Sequence, residues 1–321
     1  MKRKAALCLC ILLLVSLLSS CTGTDGRETG EGYLTFTDAL GNEVVLTAVP
    51  KRVAVLFSSL AEVYTLAGGE VAVSVGESVE RGILQSDVLL VDDGAGKTIN
   101  EELLLSYAPD LVLASADVPA QASAAEAMRR VGIPAGCFRI ECVEDYLSVL
   151  KTFTAITGNP DAYREYGEAM IGNVERLLQS IPREDGAEKR ILFIRAGSSA
   201  RSTKAKTAEE HFACRMLKEM HTYNIAENAR VLLDGLSVEE ILREDPEIIF
   251  ITTMGDEAAA VAYVEDLFAS PTYQALTAVR EGRYYFLPKE LFQYKPNARW
   301  DRAYSYLAEL LYGTTDNATS E

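Results

Sequence analysis

Short apolar runs alternate with amphipathic stretches along most of the chain. A continuous run such as 53–57 is typical of a strand that is buried on both faces of a parallel sheet. In stretches such as 58–67, apolar residues recur three or four positions apart, which predicts helices that pack on the sheet. The alternation of the two patterns predicts an α/β fold with mainly parallel sheets.

The same pattern starts again in the second half of the chain. Residues 189–199 (KRILFIRAGSS) repeat the order found in 51–59 (KRVAVLFSS): a basic pair, a buried strand and paired serines. Between them, apolar residues recur at helical spacing over 160–181, which predicts one helix of about six turns. This helix is either a buried core helix or a spine between two lobes, and the immediate start of a new sheet favours the spine. The predicted ranges are 33–142 for the first lobe, 143–186 for the helical connection and 187–313 for the second lobe.

A second repeat links 100–115 (NEELLLSYAPDLVLAS) with 237–252 (SVEEILREDPEIIFIT). Alignment without gaps pairs Glu102 with Glu239, and in each copy a short helix leads through a proline into an apolar strand. An acid in the first turn is stabilised by the helix dipole, which is one explanation of both glutamates. The alternative is functional, because two matching acids, one per lobe, would form a docking clamp for arginines of a partner.

The N-terminus carries a targeting signal. A basic start (MKRK) precedes an apolar run at 5–18, which is shorter than the roughly 20 residues of a membrane span. The run ends at LSSC, which resembles the lipobox of bacterial lipoproteins. That resemblance implies cleavage before Cys21, acylation of this cysteine and attachment to the extracytoplasmic face of the cell membrane; a plain signal peptide is the alternative. The predicted ranges are 1–20 for the signal peptide, 21–32 for a flexible tether and 314–321 for a tail.

Composition and charge narrow the range of functions. A chain of 321 residues is long enough for two cores. The formal net charge of −16 would repel a polyphosphate and disfavours nucleic acid as a partner. Three cysteines remain beyond Cys21, an odd number that does not indicate a disulfide framework, although one disulfide is compatible with it. The chain has only His211 and His221, too few for a metal site built on several histidines.

Taken together, these motifs resemble the class III substrate-binding proteins of ABC importers. The resemblance rests on the lipobox, on both repeats and on the segment 276–288 (LTAVREGRYYFLP), and it covers about 33–313. It implies two α/β lobes joined by one long helix, with the cargo between them and only slight hinge motion. The implied cargo is an iron–siderophore complex, or alternatively haem or cobalamin, with no resident cofactor and no catalysis. The implied partners are an ABC permease dimer, whose arginine pockets receive Glu102 and Glu239, and its ATPase.

Ligand residues are expected in the loops after the strands, because ligands of open α/β sheets bind beyond the carboxyl ends of the strands. Arginines would bind anionic groups of the cargo, and aromatic residues would supply contact area. For Trp300, packing under its loop is favoured over contact with the ligand. For Tyr294 and Arg195, a packing role and a ligand-binding role are both open. The ligand candidates are Ser58, Ser59, Arg195, Arg201, Tyr294, Arg299 and Trp300. The same loops also contain Ser115, Asp117, Ser198, Thr252, Thr253, Met254, Phe292 and Lys295.

A lipid-anchored secreted hydrolase is the rival hypothesis. It requires a nucleophile, a base and an orienting acid, and paired serines are present. The chain lacks a G-x-S-x-G elbow, however, and its two histidines leave little choice of base. We therefore expect a binding protein and not an enzyme. One departure from the binding-protein pattern is the sequence MHTYN at 220–224, where many members end a helix with Gly-Gly.

Overall fold

The computed structural model describes residues 33–94, 96–182 and 188–313. The predicted signal peptide, the lipidation site Cys21, the tether and the C-terminal tail lie outside the described residues. Within the described ranges, no helix is both long enough and apolar enough to cross a membrane.

The strands form one hairpin and two mainly parallel sheets. In chain order they are β1 Leu34–Thr37, β2 Glu43–Leu46, β3 Val53–Val55, β4 Val71–Ser74, β5 Leu89–Leu90, β6 Leu111–Ser115, β7 Ala135–Phe138, β8 Lys189–Ala196, β9 Lys204–Ala205, β10 Thr222–Asn224, β11 Ile248–Thr253 and β12 Tyr284–Phe286. Strands β1 and β2 pair antiparallel. The first sheet has the order β5-β4-β3-β6-β7 and is parallel throughout. The second has the order β10-β8-β11-β12, also parallel, and the short β9 pairs antiparallel with β8.

Helices alternate with the strands, as the sequence pattern predicts. In chain order they are α1 Ser58–Leu66, α2 Gly76–Glu80, α3 Glu101–Ser106, α4 Pro119–Arg130, α5 Val143–Thr157, α6 Pro160–Tyr163, α7 Ala169–Ser180, α8 Phe212–Glu219, α9 Val231–Asp234, α10 Val238–Glu244, α11 Glu257–Ala269, α12 Thr277–Arg280, α13 Lys289–Phe292 and α14 Trp300–Tyr312. A π-helical turn, Arg164–Glu168, joins α6 and α7, so that one helix runs over 160–180.

The linking helix and a shared core join the two lobes. The apolar stripe of the helix faces inward, with Met170 and Val174 only 3% and 2% exposed. One core cluster extends from β3 in the first sheet past this helix to β8 and β11 in the second sheet and on to α14. The outer face of each sheet has a separate core. The structure confirms the predicted fold class: α/β, with two lobes of mainly parallel sheet joined by a single long helix.

The repeated motif is one helix–turn–strand unit used twice. In the first sheet it ends in β6, the neighbour of β3, and in the second it ends in β11, the neighbour of β8. The Asp110 carboxylate accepts the backbone N–H groups of Lys51 and Arg52 at 2.7 and 2.9 Å. In the second copy the Glu247 carboxylate accepts the backbone N–H of Arg190 at 3.0 Å. The acid after each proline therefore holds the start of the neighbouring strand in register.

Local backbone geometry defines both ends of α8. The helix begins at Phe212 after a separate turn, in which the Glu210 side chain accepts the backbone N–H of Thr207 at 3.3 Å. At 220–224, where Gly-Gly is missing, His221 takes the left-handed conformation with φ +59°. The turn that glycine usually makes is therefore kept by a histidine.

The repeat also conserves a left-handed residue before each proline. Ala108 and Asp245 are aligned, and their φ angles are +48° and +43°. A β-carbon is unfavourable in this conformation by about 1–2 kcal/mol. We expect Ala108→Gly to raise the free energy of unfolding by roughly 0.5–1 kcal/mol, as measured by urea denaturation.

The matched control is Ala262→Gly on the exposed side of α11. There glycine should lower the free energy of unfolding by about 1 kcal/mol, because a right-handed helix interior favours alanine. Equal destabilisation by both substitutions would contradict the left-handed conformation of Ala108.

Candidate interlobe binding site

The lobes meet along a seam, and two cavities formed by described residues lie on it. The smaller one, of about 310 Å³, lies at the carboxyl ends of β8 and β11. This polar cavity is lined by Glu141, Arg195, Glu210, His211, Phe212, Thr252, Thr253, Met254, Gln293 and Lys295. Glu141 comes from the loop after β7, so both lobes contribute to the lining. Its place beyond the strand ends is the place predicted for a ligand.

The larger cavity, of about 1010 Å³, lies beside α1 and α14 in the same seam. This aromatic cavity is lined by Glu62, Thr65, Leu66, Glu80, Arg81, Gly82, Ile83, Pro288, Lys289, Glu290, Leu291, Tyr294, Arg299, Arg302 and Tyr306. Tyr294 faces it, whereas the neighbouring Gln293 and Lys295 face the polar cavity. The loop at 293–295 therefore contributes to both cavities.

Three buried polar atoms at the polar cavity have no hydrogen-bond partner among the described residues. They are Arg195 Nε, Thr252 Oγ1 and Gln293 Oε1. A buried polar group without a partner costs about 1–3 kcal/mol. Unpartnered polar atoms beside a cavity are expected where a polar ligand supplies the missing hydrogen bonds. Asn297 Oδ1, Arg299 Nε and Trp300 Nε1, next to the aromatic cavity, are likewise buried without a partner among the described residues.

The free charge of the polar cavity is positive. Lys295 pairs with Glu141 at 2.9 Å, and Glu210 pairs with Lys206 at 3.2 Å. Arg195, in contrast, forms no ion pair within the part of the chain that the structure describes. The cavity therefore presents one guanidinium whose charge is not matched by a carboxylate.

His211 contributes a hydrogen-bond donor to this cavity. It is the N-cap of α8, and its Nδ1 accepts the backbone N–H of Ala213 at 3.2 Å. Burial, followed by the positive charges of Lys295 and Arg195, lowers the pKa of His211 to about 3. The imidazole is therefore neutral at pH 7, and with Nδ1 as the acceptor its proton is on Nε2.

An ion-pair network around Glu62 crosses the seam next to the aromatic cavity. The Glu62 carboxylate lies 3.4 Å from Arg81 of its own lobe. From the other lobe it accepts Arg299 Nη1 at 2.5 Å and Asn297 Nδ2 at 2.8 Å. The Arg81 guanidinium lies 4.0 Å from the centroid of the Tyr294 ring, close enough for a cation–π contact. These contacts tie the lobes together at this end of the seam.

The structure brings several predicted ligand residues together through Arg81. Ser58 and Ser59 are buried in the first turn of α1, and Arg81 Nη1 donates to their hydroxyls at 2.8 and 3.2 Å. Tyr294 and Arg299 line the aromatic cavity above this network. Both serine hydroxyls are thus engaged inside the protein, and neither serine lines the polar or the aromatic cavity.

Two other predicted ligand residues lie elsewhere. Trp300 is 1% exposed and packs edge-to-face on Phe212 at a centroid distance of 5.4 Å, which corresponds to the packing role. Arg201 is exposed on the short turn Ala200–Ser202 and lines neither cavity. No sequence pattern singles out Glu62 or Arg81, since both occupy ordinary polar positions of helical segments.

Glu102 and Glu239 are exposed in the first turns of α3 and α10. Asn100 caps α3 by accepting the backbone N–H of Leu103 at 2.9 Å. Neither glutamate forms an ion pair with another described residue, so both carboxylates are open to a partner.

The described residues contain no group of three or more His, Cys, Asp or Glu side chains that could hold a metal ion. Cys137, Cys142 and Cys214 are free thiols. Since burial raises the pKa of all three, they are poor nucleophiles and metal ligands at pH 7.

His211 should make stability depend on pH. Its pKa in the folded state, about 3, lies below the ordinary value of 6.5, so between these values the unfolded chain binds a proton that the folded chain does not. Stability is therefore lost as the pH falls from 6.5 towards 3, by up to about 1.4 kcal/mol per pH unit. In His211→Asn the side-chain oxygen can still cap α8, but no imidazole is left to titrate. Between pH 6 and pH 4 we therefore expect the free energy of unfolding of this variant to fall by roughly 2 kcal/mol less than that of the unsubstituted protein.

Urea denaturation at several pH values measures this difference. The substitution His221→Asn, at the other histidine, is measured alongside as the comparison. Parallel pH profiles for His211→Asn and the unsubstituted protein would contradict a buried neutral imidazole.

The sequence matches the model of the family described as periplasmic binding protein over residues 53–291. Comparison with curated proteins finds no match. Solved structures with a similar fold include a solute-binding protein from Staphylococcus epidermidis ATCC 12228, with a TM-score of 0.66 and 16% identity, covering 83% of this chain and 100% of that one.

Two further solved structures are named for their ligands. The periplasmic heme-binding protein RhuT from Roseiflexus sp. RS-1 matches with a TM-score of 0.65 and 16% identity over 82% of this chain and 98% of that one. Staphylococcus aureus SirA, complexed with staphyloferrin B, matches with a TM-score of 0.63 and 16% identity over 87% of this chain and 97% of that one. At such identities the likeness shows the fold. The family model covers most of the chain, which therefore belongs to the periplasmic binding protein family.

Proposed function

We propose that this chain is the lipid-anchored substrate-binding protein of an ABC importer and that its cargo is an anionic iron–siderophore complex. The observation that carries the proposal is the polar cavity between the lobes, in which Arg195 has no carboxylate partner among the described residues. Membership of a family of binding proteins supports this role over the rival hydrolase.

An anionic group of the cargo would complete the hydrogen bonds that the cavity leaves open. Arg195 Nε and Thr252 Oγ1 are both buried and unpartnered, and the neutral His211 adds an N–H donor. Hydrogen bonds from a guanidinium to carboxylate or catecholate oxygens are charge-assisted and about twice as strong as neutral ones. In a cavity that is partly shielded from water, their electrostatic contribution is larger than at an exposed surface.

Haem, or cobalamin or another corrinoid, is the alternative cargo. A histidine that ligates haem iron must offer a lone pair, but His211 Nε2 carries a proton and Nδ1 is already bonded to the Ala213 N–H. The polar cavity, at about 310 Å³, is at the small end of ligand pockets, and a larger cargo would extend into the adjacent aromatic cavity of about 1010 Å³. The hydrogen bond of His211, and not the cavity size, is therefore the property that favours an iron chelate over histidine-ligated haem.

The remaining predicted ligand residues differ in whether they would contact the cargo. Tyr294 and Arg299 line the adjacent aromatic cavity, where they would contact the part of a cargo that extends beyond the polar cavity. Ser58 and Ser59 act indirectly, by holding the Arg81 guanidinium. Arg201 and Trp300 are left out of the site because of their positions.

Docking to the permease is assigned to Glu102 and Glu239. Glu102 is exposed at the start of α3, which leads into β6 beside β3. Glu239 is exposed at the start of α10, which leads into β11 beside β8, so each lobe presents a glutamate on the same helix–strand unit. A permease built from two like subunits would offer two like surfaces to such a pair. Arginine pockets on those surfaces would recognise the two carboxylates, and the ATPase of the importer would drive transport.

The lipid anchor is assigned to Cys21 from its sequence motif, which lies outside the described residues. Only eleven residues separate Cys21 from Tyr33, so an acylated Cys21 would keep the binding lobes near the extracytoplasmic membrane surface. That position suits transfer of cargo to a permease in the same membrane.

Titration of the purified protein tests the cargo. The ligands are ferric citrate, a ferric tris-catecholate, haem and cobinamide. Calorimetry and visible absorbance measure their binding. The anionic ferric chelates should bind with micromolar or lower Kd. Preference for haem or cobinamide would replace the proposed cargo, and binding of none of the four would overturn it.

Arg195→Gln should weaken binding of the anionic ferric chelates by about 10- to 100-fold, since a hydrogen bond to a charged group contributes about 1.5–3 kcal/mol. Arg201→Gln makes the same charge change on an exposed turn and should alter the Kd by less than about twofold. Calorimetry measures both, and thermal unfolding verifies the fold. Equal losses for the two variants would point to a general field effect and not to the polar cavity.

Replacement of both Glu102 and Glu239 by alanine should abolish uptake of the labelled chelate while leaving its Kd unchanged. The reason is that both carboxylates are exposed and neither residue lines the polar or the aromatic cavity. The control replaces two other exposed glutamates, Glu175 and Glu265, by alanine and should leave uptake intact. A weakened Kd in the Glu102/Glu239 variant would mean that these residues serve the pocket or the fold.

A further inference from the structure

Glu141 occupies the position in which a carboxylate of the cargo would be expected. It lies in the loop after β7 of the first lobe, and its Oε1 accepts a hydrogen bond from Lys295 of the second lobe at 2.9 Å. Both side chains line the polar cavity, together with the unpaired Arg195. Lys295 is thus the second cation of the cavity, and a carboxylate of the protein already neutralises it.

The two partners of this ion pair differ in how freely they can move. The side chain of Lys295 is 19% exposed, and its ammonium lies 5.1 Å from the Phe212 ring centroid, so it is held on two sides. The Glu141 side chain is 39% exposed and can turn into solvent, where its charge is well hydrated. Separation of the pair would therefore leave Lys295 in the cavity and move Glu141 out of it.

The other acid of the lining is held more firmly. Glu210 pairs with Lys206 at 3.2 Å and also accepts the Thr207 backbone N–H at 3.3 Å. Moving Glu210 would break a turn as well as an ion pair. Glu141 is therefore the carboxylate of the polar cavity that can leave.

We propose that Glu141 is an internal competitor of the cargo and sets how tightly anionic chelates bind. An anionic chelate replaces Glu141 on Lys295 and then bridges Lys295 and Arg195, whereas a chelate without a free anionic group does not make this exchange. This inference rests on the proposed function as an iron-chelate receptor. It adds a residue that lowers the affinity for carboxylate-type or catecholate-type chelates and leaves the affinity for hydroxamate-type chelates unaffected.

The test is a double-mutant cycle at Glu141 and Lys295 with two probes. Ferric citrate is the anionic probe, and ferrioxamine, a ferric tris-hydroxamate without a free carboxylate, is the other. Glu141→Gln should bind ferric citrate about two- to fivefold more tightly, because a half-exposed ion pair no longer has to be broken. Its affinity for ferrioxamine should not change. In the Lys295→Gln background, Glu141→Gln should bring no gain.

Glu144→Gln, the same charge change at an exposed position nearby, is the control and should leave both affinities unaltered. Weaker binding of ferric citrate by Glu141→Gln would make Glu141 a direct contact of the cargo and overturn the proposal. A gain that persists without Lys295 would also overturn it, as a general charge effect. If Arg195→Gln weakens ferric citrate binding but Glu141→Gln has no effect, the exchange at Glu141 is overturned and the proposed function stands. If neither probe binds the unsubstituted protein, both the exchange and the proposed function are overturned.

Discussion

The shared apolar core between the lobes is the constraint on which the rest of the structure depends. The same cluster contains residues of β3 in one sheet, of β8 and β11 in the other and of the helix that links them. Opening the lobes widely would expose side chains such as Met170 and Val174, at about 1.5–3 kcal/mol for each fully exposed residue. Large hinge motion is therefore costly, and cargo must enter and leave through movements of side chains and loops at the seam.

A fixed seam also fixes its charges before any cargo arrives. At one end Glu62 neutralises cations of both lobes, and burial lowers the pKa of Arg81 while the Glu62 carboxylate acts in the opposite direction. At the other end Arg195 is held without a counter-ion. Ion pairs of Glu62 thus join the lobes at one end of the seam, whereas Arg195 at the other end has no carboxylate partner among the described residues. Binding energy gained there does not have to offset an ordering of the lobes, since the core has already ordered them.

The fold followed from the sequence because its signals are local. Buried strands, glycine stops and the two repeats lie within short windows, and Arg195 could be found because it sits at the end of a predicted strand. The seam could not be predicted in the same way. Asn297 and Arg299 meet Glu62 across more than 230 positions of chain, and Trp300 turns inward because Phe212 of another element receives it. Partners that are distant in the sequence therefore determine which charged residue forms an ion pair and which does not.

The repeated motif contains one acid with a structural role and one acid for which docking is proposed. In each copy the acid after proline is bonded to the backbone of the neighbouring strand, so its conservation within the chain has a structural cause. The helix dipole does not explain Glu102 and Glu239 equally well, because Glu101 and Glu240 already supply an acid to each first turn. Glu240 also pairs with Arg243, whereas Glu102 and Glu239 have no ion-pair partner within the described residues. An exposed acid that the helix does not need, present at the same place in both lobes, is consistent with the proposed docking to a partner with two like surfaces.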